Sequence, residues 1–114
     1  MINLYQYYIK PVDLLPPSKY PDVHFAYNYV YKVLKKPFPL VEDIISTNAF
    51  YAISYARNVL HGPFPKGEDM IATDVMYSWM YAKDILKSRF IKGEKIIKGS
   101  MMQEPYENLF NIKL

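Results

Sequence analysis

The stretch that decides the fold is Tyr55-Ala56-Arg57-Asn58-Val59-Leu60-His61-Gly62-Pro63-Phe64-Pro65-Lys66-Gly67-Glu68. Its Pro-Phe-Pro centre also occurs 26 residues earlier, around Phe38, and its phenylalanine recurs 26 residues later as Phe90. A fixed period of this length is the signature of a repeat architecture. Six columns keep the register: Tyr29/Tyr55/Tyr81, Val33/Val59/Ile85, Leu34/Leu60/Leu86, Phe38/Phe64/Phe90, Glu42/Glu68/Glu94 and Ile45/Ile71/Ile97.

The spacing inside one unit predicts a long helix followed by a short one. Counted from Asn48, the recurring apolar positions are 3, 4, 7, 8, 11 and 12, which lie on one stripe of a helix. We expect Gly62 to stop this helix and the prolines around Phe64 to prevent its continuation. Glu68 and Asp69 open the short helix, because their charges match the positive end of its dipole.

Helix starts recur with the same period, at Asp22, Asn48, Asp74 and Ser100. Each is a residue type whose side chain accepts hydrogen bonds from the free N–H groups of a first helical turn. We therefore predict an all-α fold: a small, α-solenoid-like array of three helix-turn-helix units, 22–47, 48–73 and 74–99. Residues 1–21 and 100–114 fit the columns poorly and are expected to form an N-terminal and a C-terminal cap on a single domain.

Composition excludes several classes of protein. Of the 114 residues, 51% are apolar and 17% aromatic, and the net charge is only +3, so the chain is expected to fold. It contains no cysteine, which removes thiolate metal sites and disulfides and suits a reducing cytosol. The longest stretch free of charge, residues 44–56, is too short to span a membrane. With no signal-peptide pattern at the N-terminus, we expect a cytoplasmic protein.

The repeated Tyr-Ala…Val-Leu…Gly-Pro-Phe-Pro…Gly-Glu…Ile pattern, best preserved over residues 55–68, resembles short helical-repeat proteins of bacteriophages and giant viruses. The resemblance covers about residues 22–100. It implies a small viral accessory protein that acts on host components in the host cytoplasm, and it carries over no catalytic residue. The first unit departs from the pattern with Val41 in place of glycine.

Catalytic chemistry has no support in the sequence. There is no phosphate-binding glycine loop, nucleophile elbow or zinc-binding His-Glu-x-x-His helix. His24 and His61 occupy different positions of the repeat, so translation does not bring them together. The carboxylate column of Glu42, Glu68 and Glu94 is explained by its place at helix starts. We therefore expect no enzymatic activity, no cofactor and no metal.

A second helix face is the best candidate for binding. Positions 2, 5 and 9 after each cap are bulky and differ from unit to unit, although an exposed helix face is normally polar. In repeat proteins the invariant positions build the core, and the extended surface formed by stacked units is used for binding. The predicted partner-binding residues are Phe50, Ile53, Arg57, Met76, Trp79, Met80, Lys83, Tyr27 and Tyr31. The alternative is that this face packs internally, with Trp79 in the core.

The favoured function is thus a non-enzymatic protein-binding module that inhibits or redirects a host or anti-viral defence protein. The same face could instead bind a second copy of the chain and form a homodimer. The less favoured partner is single-stranded nucleic acid, which binds to aromatic side chains beside a basic groove. That reading rests on the tyrosines and on a basic edge formed by Lys35, Lys36 and Lys87, with Lys66, Lys92, Lys95 and Lys98 in the turns and short helices.

Overall fold

The computed structural model describes residues 22–114 and shows a helical array. Every regular element in this part of the chain is a helix, and it contains no strand, which confirms the all-α prediction. The predicted N-terminal cap, 1–21, lies outside the described residues. The α-helices are α1 Val23–Asn28, α2 Glu42–Ile45, α3 Ala49–Tyr55, α4 Glu68–Ile71, α5 Val75–Met80, α6 Ile91–Ile97 and α7 Gln103–Phe110.

The helix starts follow the predicted caps in three cases out of four. The side chains of Asp22, Asn48 and Asp74 accept hydrogen bonds from the backbone N–H three residues on, at 2.7, 3.0 and 2.8 Å. Ser100 is not a cap, because α7 begins only at Gln103. The Ser100 hydroxyl instead donates to the Ile97 carbonyl and accepts from the Met102 N–H, which closes the turn after α6.

Each long helix begins as an α-helix and ends as a π-helix. Helices α1, α3 and α5 continue without a break as π-helices, Tyr29–Leu34, Ala56–Leu60 and Tyr81–Leu86. Each π-helix ends on a residue in the left-handed conformation, Lys35, His61 or Lys87, with φ between 53° and 55°. The second long helix therefore ends near His61, as the sequence predicts, but its left-handed terminal residue is His61 and not the expected Gly62.

The turn and the short helix follow the predicted order in the first two units. The second proline of each Pro-Phe-Pro turn begins a 3-10 helix, Pro39–Val41 or Pro65–Gly67, which leads directly into α2 or α4. In the third unit Arg89 and Ile91 replace the prolines, and the short helix is the longer, continuous α6. The guanidinium of Arg89 binds both carboxylate oxygens of Glu94, at 2.7 and 2.8 Å.

Three of the repeated columns supply much of the core. The buried aromatic and aliphatic side chains include Tyr29, Tyr55 and Tyr81, then Phe64 and Phe90, then Ile45, Ile71 and Ile97. Helix α3 packs against α1 on one side and α5 on the other, so each unit contacts its sequence neighbours. In residues 22–114 no helix is both long enough and apolar enough to cross a bilayer.

Candidate interaction surface

The structure divides the predicted binding face into buried and exposed residues. Tyr27 and Ile53 are 7% and 1% exposed, so neither offers a surface, contrary to expectation. Both occupy the fifth position after the cap, and Tyr27 contacts Tyr51 and Asn58 of the next long helix. The internal stripe is therefore wider than the repeated columns alone. The corresponding Trp79 is half-buried and packs against the core, as does Met80. Five of the predicted residues are exposed: Tyr31, Phe50, Arg57, Met76 and Lys83.

The exposed apolar part of the face lies near the starts of α3 and α5. Phe50 and Met76, equivalent in adjacent units, are 51% and 46% exposed. The Phe50 ring centre is 6.4 Å from that of Tyr77, the residue next to Met76. Trp79 and Met80 follow Met76 by three and four residues, so they share its side of the helix. We call Phe50, Met76, Trp79 and Met80 the apolar face.

Charged side chains border the apolar face toward the helix ends. Asp84 accepts from Arg57 at 3.3 Å and from Lys83 at 2.8 Å, which links the second unit to the third. The Lys83 ammonium lies 6.0 Å from the centre of the Trp79 ring, at the outer limit of a cation–π contact. A half-exposed apolar centre with a charged border is the usual anatomy of a protein interface.

The predicted basic edge contains a groove between the ends of the first two long helices. The groove has a volume of about 540 Å³. We call it the basic groove; its lining residues are Tyr31, Lys32, Lys35, Asn58, Val59 and His61. A second groove of about 390 Å³ follows one unit along, and His61 and Lys87 line it together with the Arg57–Asp84 pair. The predicted Lys66 and Lys92 lie elsewhere and pair with Asp43 and Asp69.

The carboxylate column has a role that the sequence reasoning missed. The hydroxyl of Tyr81 donates to Glu68 Oε2 at 2.7 Å and accepts from the Phe64 N–H at 2.8 Å. Tyr55 bridges Glu42 and Phe38 in the same way. Each tyrosine thus ties its own unit to the turn and short helix of the preceding one. The sequence could have predicted this bridge from two repeating columns, the tyrosines and the glutamates, since a buried phenol needs a hydrogen-bond partner.

The third copy of this bridge uses Tyr106 of α7, whose hydroxyl donates to Glu94 at 2.6 Å and accepts from the Phe90 N–H at 2.9 Å. Burial, followed by the bond to Glu94, raises the pKa of Tyr106 to about 12. The Arg89 guanidinium lowers the pKa of Glu94, so this carboxylate stays charged. These carboxylates therefore hold the array together.

The two histidines have separate surroundings within the described residues. His24 Nδ1 is hydrogen-bonded to the Tyr51 hydroxyl and the ring also contacts Asn28, whereas His61 forms the left-handed turn. Within residues 22–114 no three histidine or acidic side chains are grouped so that they would hold a metal ion. Comparison of this chain with protein-family models, with curated proteins and with solved structures finds no match.

Proposed function

We propose that this protein is a non-enzymatic binding module whose apolar face docks a protein partner. The observation that carries the proposal is the exposure of Phe50 and Met76 at equivalent positions of adjacent helices. Large apolar side chains placed together on a surface mark interaction sites more often than scattered ones do. Trp79, which shares one side of α5 with Met76, and Arg57 at the border are residue types that are enriched at the energetic centres of interfaces.

The partner that we propose is a host or anti-viral defence protein, which the module inhibits or redirects in the host cytoplasm. This part of the proposal rests on the resemblance of the repeat to viral helical-repeat proteins. A second copy of the chain is the alternative occupant of the same face, because a self-complementary apolar patch gives a twofold dimer.

The experiment compares a face variant with a matched control. Phe50→Asp combined with Met76→Asp places two charges at the centre of the apolar face, whereas Leu40→Asp combined with Ile91→Asp places two charges on exposed apolar residues outside it. We expect the face variant to lose partner capture from nuclease-treated host lysate, or self-association in sedimentation, with both variants melting near the unchanged protein. Equal binding by the face variant and the control would contradict the proposal.

Salt separates this proposal from nucleic-acid binding, the second candidate. An apolar protein interface should keep most of its affinity as salt rises, whereas binding to a phosphate backbone weakens steeply. The basic groove is the observation that favours the second candidate, and it lies outside the apolar face. Retention of the partner in high salt supports protein binding, and its release there opposes it.

A further inference from the structure

The basic groove gathers positive charge in one concave part of the surface. Lys32 and Lys35 line it, and within residues 22–114 neither makes an ion pair. The Arg57–Asp84 and Lys92–Asp69 pairs show the contrasting arrangement, at 3.3 and 3.0 Å. None of the described residues that line the basic groove is acidic. The groove is therefore a concave surface of net positive charge, which favours an anion.

An aromatic ring forms one wall of this positive groove. Tyr31 is 44% exposed and stacks on Tyr27, with ring centres 5.6 Å apart and planes 22° apart. Tyr27 is itself buried, and its hydroxyl accepts a hydrogen bond from Asn58 Nδ2 at 3.0 Å. One side of the Tyr31 ring is thus held against a fixed neighbour, which leaves the ring as a preformed stacking platform.

Asn58 adds a hydrogen-bonding group to the same groove. Its amide nitrogen is used by Tyr27, and within the described residues its carbonyl oxygen Oδ1 accepts no hydrogen bond. An amide oxygen accepts from the amino groups on base edges. Cation, aromatic platform and amide acceptor are the three elements with which proteins bind nucleotides of single strands.

We propose that the basic groove binds a nucleotide unit, with its phosphate at Lys32 and Lys35 and its base stacked on Tyr31. The groove between the second and third units shares His61 and adds Lys87, so a single strand running along this edge would meet cations in successive units. Asp84 partly neutralises that second groove, which makes the first the primary site. This site is independent of the apolar face and of the function proposed for it.

A competing role for the same lysines is structural, because cations near the last turn of a helix stabilise the negative end of its dipole. The two roles predict different losses. Removing a cation that serves only the helix end lowers the melting temperature and changes no binding. Removing a phosphate-binding cation lowers affinity and flattens its salt dependence, by about 1 in the slope of log K against log salt per lysine.

The experiment measures fluorescence anisotropy of a labelled single-stranded oligonucleotide of mixed sequence, with adenosine monophosphate as an unlabelled competitor. The variants are Lys32→Ala with Lys35→Ala, Tyr31→Ala, and the conservative Tyr31→Phe. The matched control is Lys95→Ala with Lys98→Ala. The sequence predicted both lysines as part of the basic surface, but in the structure these exposed lysines line neither groove, so the control removes the same charge away from the proposed site. Melting curves are recorded for every variant, so that loss of folding is separated from loss of binding.

We expect Tyr31→Ala to weaken binding by about fivefold or more and Tyr31→Phe to keep it, since stacking needs the ring and not the hydroxyl. The double lysine variant should weaken binding and flatten its salt dependence, whereas the control should do neither. If adenosine monophosphate displaces the labelled oligonucleotide, the site is assigned to free nucleotides. If it does not, the site is assigned to single strands of nucleic acid. The proposal is overturned if the unchanged protein binds no probe at low salt, or if the control variant weakens binding as much as the groove variant.

Discussion

At the scale of single residues, the hydroxyl of Tyr81 explains why this position is tyrosine. It joins a glutamate and a backbone N–H of the preceding unit, and the Phe64 N–H has this hydroxyl as its partner. Phenylalanine would fill the same volume, and so the column is tyrosine for its two hydrogen bonds. Burial and the neighbouring Glu68 both raise the pKa of Tyr81, which keeps its donor proton in place.

We predict that Tyr81→Phe lowers the free energy of unfolding by about 1–3 kcal/mol, because it leaves the buried Phe64 N–H without a partner. Tyr77→Phe is the control, since Tyr77 is half-buried and its hydroxyl makes no hydrogen bond within the described residues. Guanidinium chloride unfolding of both variants is the measurement. Equal stability of the two variants would show that the hydroxyl bridge contributes nothing.

At the scale of elements, the Pro-Phe-Pro turn is fixed by close packing around one glycine. Gly67 ends a 3-10 helix at an ordinary negative φ of −94°, so its backbone does not require glycine. A Cβ built there would lie 2.7 Å from the Phe64 ring and 2.8 Å from Ala52 Cβ. Val41 occupies this position in the first unit, where Phe38 is only half-buried instead of fully buried like Phe64. The glycine therefore makes room for the phenylalanine.

Gly67→Ala should destabilise the protein by about 1–3 kcal/mol, because the added methyl overpacks the contact between the turn and α3. Gly62→Ala is the matched control: a Cβ there meets nothing nearer than 3.9 Å, and its φ is not left-handed. It should be neutral or stabilise by about 0.4–1 kcal/mol through the unfolded state. Thermal melts that rank the two variants the other way would refute this account of the turn.

At the scale of the whole molecule, stability depends on contacts between successive units, as in other repeat proteins. The tyrosine bridges cross each boundary that the described residues contain, at Tyr55, Tyr81 and Tyr106. Ion pairs repeat with the same stagger, from Lys66 to Asp43 and from Lys92 to Asp69, but their exposure makes them weak. The buried tyrosine bridges therefore join each unit to the next.

We predict that the protein unfolds more easily in alkali. The pKa of Tyr106 is raised to about 12, and the pKa values of Tyr55 and Tyr81 are raised as well, above the usual tyrosine value of about 10. The tyrosine hydroxyls lose their protons at a lower pH in the unfolded chain than in the folded chain. The stability that the raised pKa values contribute is therefore complete below about pH 10 and declines as the pH rises toward 12. Urea unfolding across this range measures the decline. A smaller decline of the free energy of unfolding in the Tyr81→Phe variant would confirm that Tyr81 contributes to it, and an unchanged decline would exclude Tyr81.

The sequence by itself determined the helical class, the 26-residue period, three of the helix caps and the order of long helix, turn and short helix. These features follow from local chemistry: apolar spacing, cap side chains and prolines act within one or two turns of chain. Only the tertiary structure decided that Tyr27 and Ile53 are buried while Phe50 and Met76 are exposed, because burial depends on which neighbouring helix covers each position. It also decided the tyrosine bridges and the basic groove, since each joins residues that meet only when the units stack.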